Sequence, residues 1–191
     1  MTADTERTKR RTIDDRLPGD PTREHAIERM IRVDHAGEYG AVRIYAGQLA
    51  VLGESASAPL IRHMAEQEER HLERFNHLIA EKRVRPTALL PLWHAAGFAL
   101  GAATALLGEK AAMACTVAVE EVIDEHYAGQ VERLGAQDTA LKETFEEFRQ
   151  EEVEHRNAGL EHGAEEAPGY ELLSATIKAG SRFAIWLSER F

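Results

Sequence analysis

The chain is written twice, and that repeat narrows its possible folds more than any other feature. Glu38 is followed seven residues later by Tyr45-Ala-Gly-Gln48, and Glu120 is followed seven residues later by Tyr127-Ala-Gly-Gln130. A Glu-x-x-His pair, Glu68 with His71, comes 30 residues after Glu38; a second, Glu152 with His155, comes 32 residues after Glu120. One such coincidence could arise by chance; two in register mean two units of similar design. Units of this length with helical spacing are helical hairpins, and a pair of them packs as a pseudo-symmetric four-helix bundle.

Punctuation along the chain agrees with an all-α fold. Asp20 is a candidate N-cap with Pro21 as the first helical residue, and a helix is expected from there to about Gly53. Pro59 opens a second helix that ends near Arg83, a third runs from about Glu109 to Leu134, and a fourth from Thr139 to His162. Gly135 to Asp138 is a turn, Ala167-Pro168-Gly169 breaks the chain again, and a last amphipathic helix covers about Tyr170 to Arg190. Residues 1–20 carry charge throughout and no apolar run, so they are expected as a disordered tail and not a signal peptide. Residues 21–191 form one domain.

Composition enters as a set of exclusions. A formal net charge of −10 argues against a nucleic-acid partner. The single cysteine, Cys115, permits no intramolecular disulfide and no CxxC metal module, and reads as a small buried apolar residue.

Helical phase then separates the acids. Apolar residues three and four apart form a stripe on each helix. The stripes run Ile27, Ile31, Asp34, Glu38, Ala41, Tyr45 and Gln48; then Leu60, Met64, Glu68, His71 and Phe75; then Met113, Val117, Glu120, Asp124 and Tyr127; then Phe145, Phe148, Glu152 and His155. Glu69 falls on a charged row instead, as do Glu121 with Glu125 and Glu132, and Glu151 with Glu147 and Glu154. Those rows read as solvated surface. His25, His63, His77, His94 and His162 read as surface or helix-end residues, while the phase leaves His35 and His126 undecided.

Acids among hydrophobes need an explanation. Burying an isolated carboxylate is so costly that it protonates unless it is paired or bound to metal. Four carboxylates facing one interior repel, and two divalent ions balance them. Each Glu-x-x-His sets an oxygen and an imidazole one turn apart on one face. Two such pairs, plus one glutamate from each remaining helix, are the ligand set of ferritin-like di-iron and di-manganese proteins. Glu38, Glu68, His71, Glu120, Glu152 and His155 are therefore the candidate ligands, of a kind suited to iron or manganese. Asp34 or Asp124 is a candidate acceptor for the far nitrogen of a ligand histidine.

Pro86 to Gly108 contains no charged residue. A membrane span there would put the second and third helices on opposite sides and split the site. A buried core helix is a second reading. An interfacial helix or hairpin resting in one leaflet fits best, with Trp93 and His94 as its polar-tolerant edge and the last helix beside it.

Arg32-Val-Asp-His-Ala-Gly-Glu-Tyr-Gly-Ala41, Arg43-Ile-Tyr-Ala-Gly-Gln48, Ala114-Cys-Thr-Val-Ala-Val-Glu-Glu121 and the Leu187-Ser-Glu-Arg190 ending together resemble the demethoxyubiquinone hydroxylases of ubiquinone biosynthesis. The resemblance covers about Ile27 to the C-terminus. It implies a ferritin-like bundle, two ferrous ions per chain on the six ligands named above, and O2 as co-substrate. It also implies monooxygenation of the ring of a lipid-soluble demethoxyubiquinone or demethoxyubiquinol. Family members sit peripherally on a membrane, and other ubiquinone-biosynthesis proteins are possible partners. His126 and Tyr127 match family positions near the site and are candidates for relaying electrons or protons. The expected location is the cytoplasmic face of a bacterial inner membrane, with the mitochondrial inner membrane as the alternative. The competing function is iron oxidation and storage in a ferritin-like cage; a manganese catalase-like enzyme is a third.

Overall fold

The computed structural model describes residues 11–135 and 138–191. Six α-helices carry them: α1 (Arg23–Leu52), α2 (Ala58–Lys82), α3 (Leu90–Leu106), α4 (Glu109–Leu134), α5 (Thr139–Glu161) and α6 (Tyr170–Ser188), with a 3-10 turn at Ala164–Glu166. Among the described residues there is no strand. Each boundary has a local cause. Thr22, and not Asp20, caps α1: its hydroxyl accepts the His25 N–H at 3.2 Å. Asp20 instead accepts the Leu17 N–H at 2.9 Å within the preceding turn. Pro59 lies in the first turn of α2, and Arg83 ends that helix in the left-handed region at φ 53°. Of the turn expected at 135–138, residues 136 and 137 lie outside the described residues.

The core shows how the helices run. Met30 and Ile31 of α1 share a buried cluster with Phe75 and Leu78 of α2, Tyr127 and Leu134 of α4, and Leu141, Phe145 and Phe148 of α5. These residues precede the stripe glutamate on α1 and α5 and follow it on α2 and α4. A second cluster, including Tyr45, Ile61, Met64, Met113 and Val117, closes the other end with the opposite order. So α1 and α5 point one way and α2 and α4 the other. Each fully buried large apolar side chain in these clusters contributes roughly 1.5–3 kcal/mol. The six candidate ligands sit between the two plugs.

Of the residues expected as a tail, 1–10 lie outside the described residues. Residues 11–20 are held in place: Ile13 is buried in the first cluster, and its N–H donates to the Arg133 carbonyl at 2.8 Å. Arg23 of α1 adds an ion pair to Asp14 at 2.8 Å.

The uncharged segment folds as α3 and lies along α1. No described helix is long and apolar enough to cross a membrane. Contact with α1 is through backbone: a methyl at Gly101 would sit 1.9 Å from the Ile44 carbonyl oxygen, and one at Gly47 would sit 2.2 Å from that of Phe98. Leu92, Leu106 and Leu107 are exposed, and the half-exposed Phe98 ring lies 5.2 Å from the Arg43 guanidinium of α1. The segment therefore matches neither a membrane span nor a fully buried core helix. α6 rests against α4 by burying Ile177 beside Cys115, Ala118 and Val119. Ion pairs flank that contact, from Lys178 to Glu121 and from Arg182 to Glu125 (2.9 Å). The row that holds Glu121 and Glu125 is thus partly a seat for α6.

Candidate metal centre

α1 delivers Glu38, α2 Glu68 and His71, α4 Glu120, and α5 Glu152 and His155, each near mid-helix and each at most 3 % exposed. They form two overlapping groups. One atom each from Glu38, Glu68, His71 and Glu152 lie within 4.8 Å of one another, as do atoms from Glu68, Glu120, Glu152 and His155. Glu68 and Glu152 belong to both groups, so the two Glu-x-x-His helices supply the shared carboxylates. His71 Nδ1 faces Glu152 Oε1 at 3.2 Å and Glu38 Oε2 at 3.3 Å. His155 Nδ1 faces Glu68 Oε1 and Glu152 Oε2, each at 3.1 Å.

These neighbours satisfy one another only in part: His155 Nδ1 bonds Glu152 Oε2. Both Glu68 oxygens and His71 Nδ1 are buried without a properly directed hydrogen bond. Acceptors left bare in an interior are costly, and a cation bonded to both removes that cost. The donor set fits two divalent ions on the same ground: four carboxylates for two double charges, with mixed oxygen and nitrogen ligation.

The protonation pattern follows from crowding. Burial drives Glu38 up to about 8 despite the adjacent His71. Burial, with the charges of Glu152 and Glu68, raises Glu120 well above the carboxylate range. Burial opposes the charged form of His155, yet Glu152 and Glu68 overcome it and raise it to about 11. His71 moves upward in the same way through Glu152, Glu38 and Glu68. Glu68 goes the other way: burial pushes it up, but His155 and His71 hold it near 2. A cluster so crowded with carboxylates draws positive charge to itself, as protons or as cations.

The repeated Tyr-Ala-Gly-Gln now has a physical reason. Tyr45 of α1 donates to Glu120 Oε1 of α4 at 3.0 Å. Tyr127 of α4 donates to Glu38 Oε1 of α1. The bonds cross between the hairpins, each tyrosine fixing the other hairpin's glutamate. Gln48 and Gln130, three residues further on, turn away: Gln48 donates to the Ala112 carbonyl at 3.1 Å and Gln130 to Asp34 Oδ1 at 2.8 Å.

Several other expectations land differently. Asp34 is buried but bonds His126 Nε2 at 3.1 Å, not a candidate ligand. Asp124 pairs with Arg149 at 2.7 Å and lies toward the surface. Neither takes the far nitrogen of His71 or His155. Glu151 and Gln67 do: His71 Nε2 lies 3.1 Å from Glu151 Oε2, and His155 Nε2 lies 3.1 Å from Gln67 Oε1. Glu151 was expected on a solvated row, but the approach of α2 draws it inward. The available signal was position: Gln67 immediately precedes Glu68, and Glu151 immediately precedes Glu152. His35 bonds Asn76 at 3.1 Å and belongs to neither group, while His126 sits half-buried beside Asp34. The five histidines expected at the surface are exposed.

A cavity of about 330 Å3 is walled almost wholly by apolar atoms of α1, α3, α4 and α6, among them Gly37, Ile44, Trp93, Leu100, Val119 and Ile123. Gly37 and Val119 are the chain neighbours of Glu38 and Glu120.

Comparison with known proteins agrees in one direction. Residues 25–188 match the family model described as "Ubiquinone biosynthesis protein COQ7". The chain is 60 % identical over 182 residues to the 3-demethoxyubiquinol 3-hydroxylase of Rhodospirillum rubrum, covering 95 % of this chain and 86 % of that protein. It is 56 % identical over 169 residues to the mitochondrial NADPH-dependent 3-demethoxyubiquinone 3-hydroxylase of Homo sapiens, covering 86 % and 78 %. It is 42 % identical over 181 residues to the mitochondrial 5-demethoxyubiquinone hydroxylase of Saccharomyces cerevisiae, with the same coverage.

Proposed function

The chain belongs to the ubiquinone biosynthesis protein COQ7 family, and from that premise we propose that it is a di-iron monooxygenase. It hydroxylates the ring of a demethoxyubiquinone or demethoxyubiquinol in ubiquinone biosynthesis. The observation that carries the metal assignment is the pair of overlapping buried ligand groups joined through Glu68 and Glu152. Glu38 and His71 complete one position, Glu120 and His155 the other. Two ferrous ions there would supply the reduction of O2.

The chain's own residues do the rest. Six ligands for two ions would leave coordination positions open. The apolar clusters above and below the centre exclude water. Tyr45 and Tyr127 hold Glu120 and Glu38 in place from across the bundle. The apolar cavity suits a lipid-soluble quinone ring, and its wall includes Gly37 and Val119, the chain neighbours of Glu38 and Glu120. Tyr127, bonded to Glu38, and His126, bonded to Asp34, remain our candidates for proton or electron relay. Exposed Leu92, Phe98 and Leu106 of α3, Leu107 just after it, and Leu172, Phe183 and Trp186 of α6 support peripheral contact with a membrane. We place the protein on the cytoplasmic face of a bacterial inner membrane; mitochondrial relatives keep the mitochondrial inner membrane as the alternative. Other ubiquinone-biosynthesis proteins would be its partners there.

The test is anaerobic purification, iron measured per chain, then O2 with a demethoxyquinone and a reductant. Two irons per chain and a hydroxylated ring are expected. Glu120→Ala that keeps its helical spectrum should lose both iron and product; full activity in that variant refutes its ligand role. Iron oxidation with no ring product would favour the storage reading.

A further inference from the structure

The two proposed metal positions share a design but differ one bond out. His71 Nε2 meets a carboxylate, Glu151 Oε2, at 3.1 Å; His155 Nε2 meets a carboxamide, Gln67 Oε1, at 3.1 Å. Gln67 and Glu151 also touch: Gln67 Nε2 donates to Glu151 Oε2 at 2.9 Å. That bond settles the orientation of the amide, because a carboxylate only accepts. With Gln67 Nε2 turned to Glu151, Gln67 Oε1 must accept from His155 Nε2. Glu151 likewise accepts from His71 Nε2. With a cation at each position, both imidazoles would keep hydrogen on Nε2 and turn Nδ1 to the metal. One continuous chain, His155–Gln67–Glu151–His71, fixes both rings from outside, and Arg70 closes it with a 3.3 Å bond to Glu151 Oε2.

A carboxylate accepting from the far nitrogen makes an imidazole a stronger donor than an amide does, since the bond is charge-assisted. We propose that Glu151 is a positioning residue that, acting through His71, makes the Glu38–Glu68–His71–Glu152 position the tighter of the two metal positions. This rests on the metal reading above and adds an order of filling to it. Gln67 plays the weaker counterpart for the Glu68–Glu120–Glu152–His155 position.

The test is titration of the full-length metal-free protein with Co2+ alone, followed by calorimetry and by visible absorption of the bound ion. The native chain is expected to show two steps of different affinity. Glu151→Gln, nearly the same shape, should weaken the tighter step by about 10- to 100-fold and move the looser step less than about 2-fold, so that the two steps approach each other. Gln67→Met should do the reverse and weaken the looser step more than the tighter one. Circular dichroism checks that both variants stay folded. If Glu151→Gln weakens both steps equally, weakens only the looser one, or changes neither, the assignment is overturned. A native chain that fails to bind two ions would instead overturn the metal reading beneath it, so the two failures look different.

Discussion

The two hairpins, α1–α2 and α4–α5, give the centre the same things and are fastened to the rest of the protein by different means. Each offers one glutamate, one Glu-x-x-His and one tyrosine that reaches across. Outside that shared interior they diverge. The first hairpin takes α3 against α1 by bare backbone at Gly47 and Gly101. The second takes α6 against α4 through Ile177 and two ion pairs. The lesson is that the reaction centre demands near-symmetry while the flanks do not, and the flanks are where the cavity is built.

The largest effect should come from the shared interior, and should fall equally on both halves. Glu38→Ala and Glu120→Ala should each lower hydroxylation by more than about 100-fold, beyond the range of outer-sphere changes. Turnover assays on folded variants check this; unequal losses would break the symmetry. On the flanks the halves should part. Gly101→Val drives a side chain into the Ile44 carbonyl and should cost about 3 kcal/mol in chemical denaturation. Little loss there would mean that α3 can lift away from α1.

The metal-free protein offers a pH test of the interior. Glu38, Glu120, His71 and His155 all have folded-state values above their usual ones. A raised value means that the folded state holds more protons than the unfolded one. Each contribution is therefore complete below the group's ordinary pKa and fades as pH rises through its folded value: about 8 for Glu38 and about 11 for His155. Melting temperature without metal should fall between pH 7 and 10. With metal bound, those protons are displaced and the fall should flatten. A metal-free protein whose melting is unchanged over that window would contradict this pattern.

Smaller effects sharpen the comparison. Tyr45→Phe and Tyr127→Phe each remove one crossing bond and should cost about 1–2 kcal/mol apiece, measured by denaturation with metal absent. Lys178→Ala removes a partly exposed pair on the second hairpin's flank and should cost less than about 1 kcal/mol.

Much of this was readable from spacing alone. Apolar phase gave the helices and set Glu38, Glu68, His71, Glu120, Glu152 and His155 apart from their acidic neighbours, and the fold gathers those six side chains in one place. Glu151 could be noticed only as the neighbour of Glu152, because a single helix's phase cannot say which surface row a neighbouring helix will cover. Gln67 and Glu151 acquire their roles only when α2 and α5 come together. The bond from Asp34 to His126 was hidden for the same reason, since it depends on the pairing of α1 with α4. Nor could the tract from Pro86 to Gly108 reveal its seat: glycine reads as weakness in a helix until a second backbone is found within reach.

The crossed tyrosines also bear on ancestry. Tyr45 reaches Glu120, and Tyr127 returns the gesture to Glu38; such mutual pairing is how identical subunits meet across a twofold axis. A gene half this long, coding for one hairpin that dimerises with its twin, would already own every ligand needed. Duplication and fusion would then have freed each copy to acquire a different neighbour.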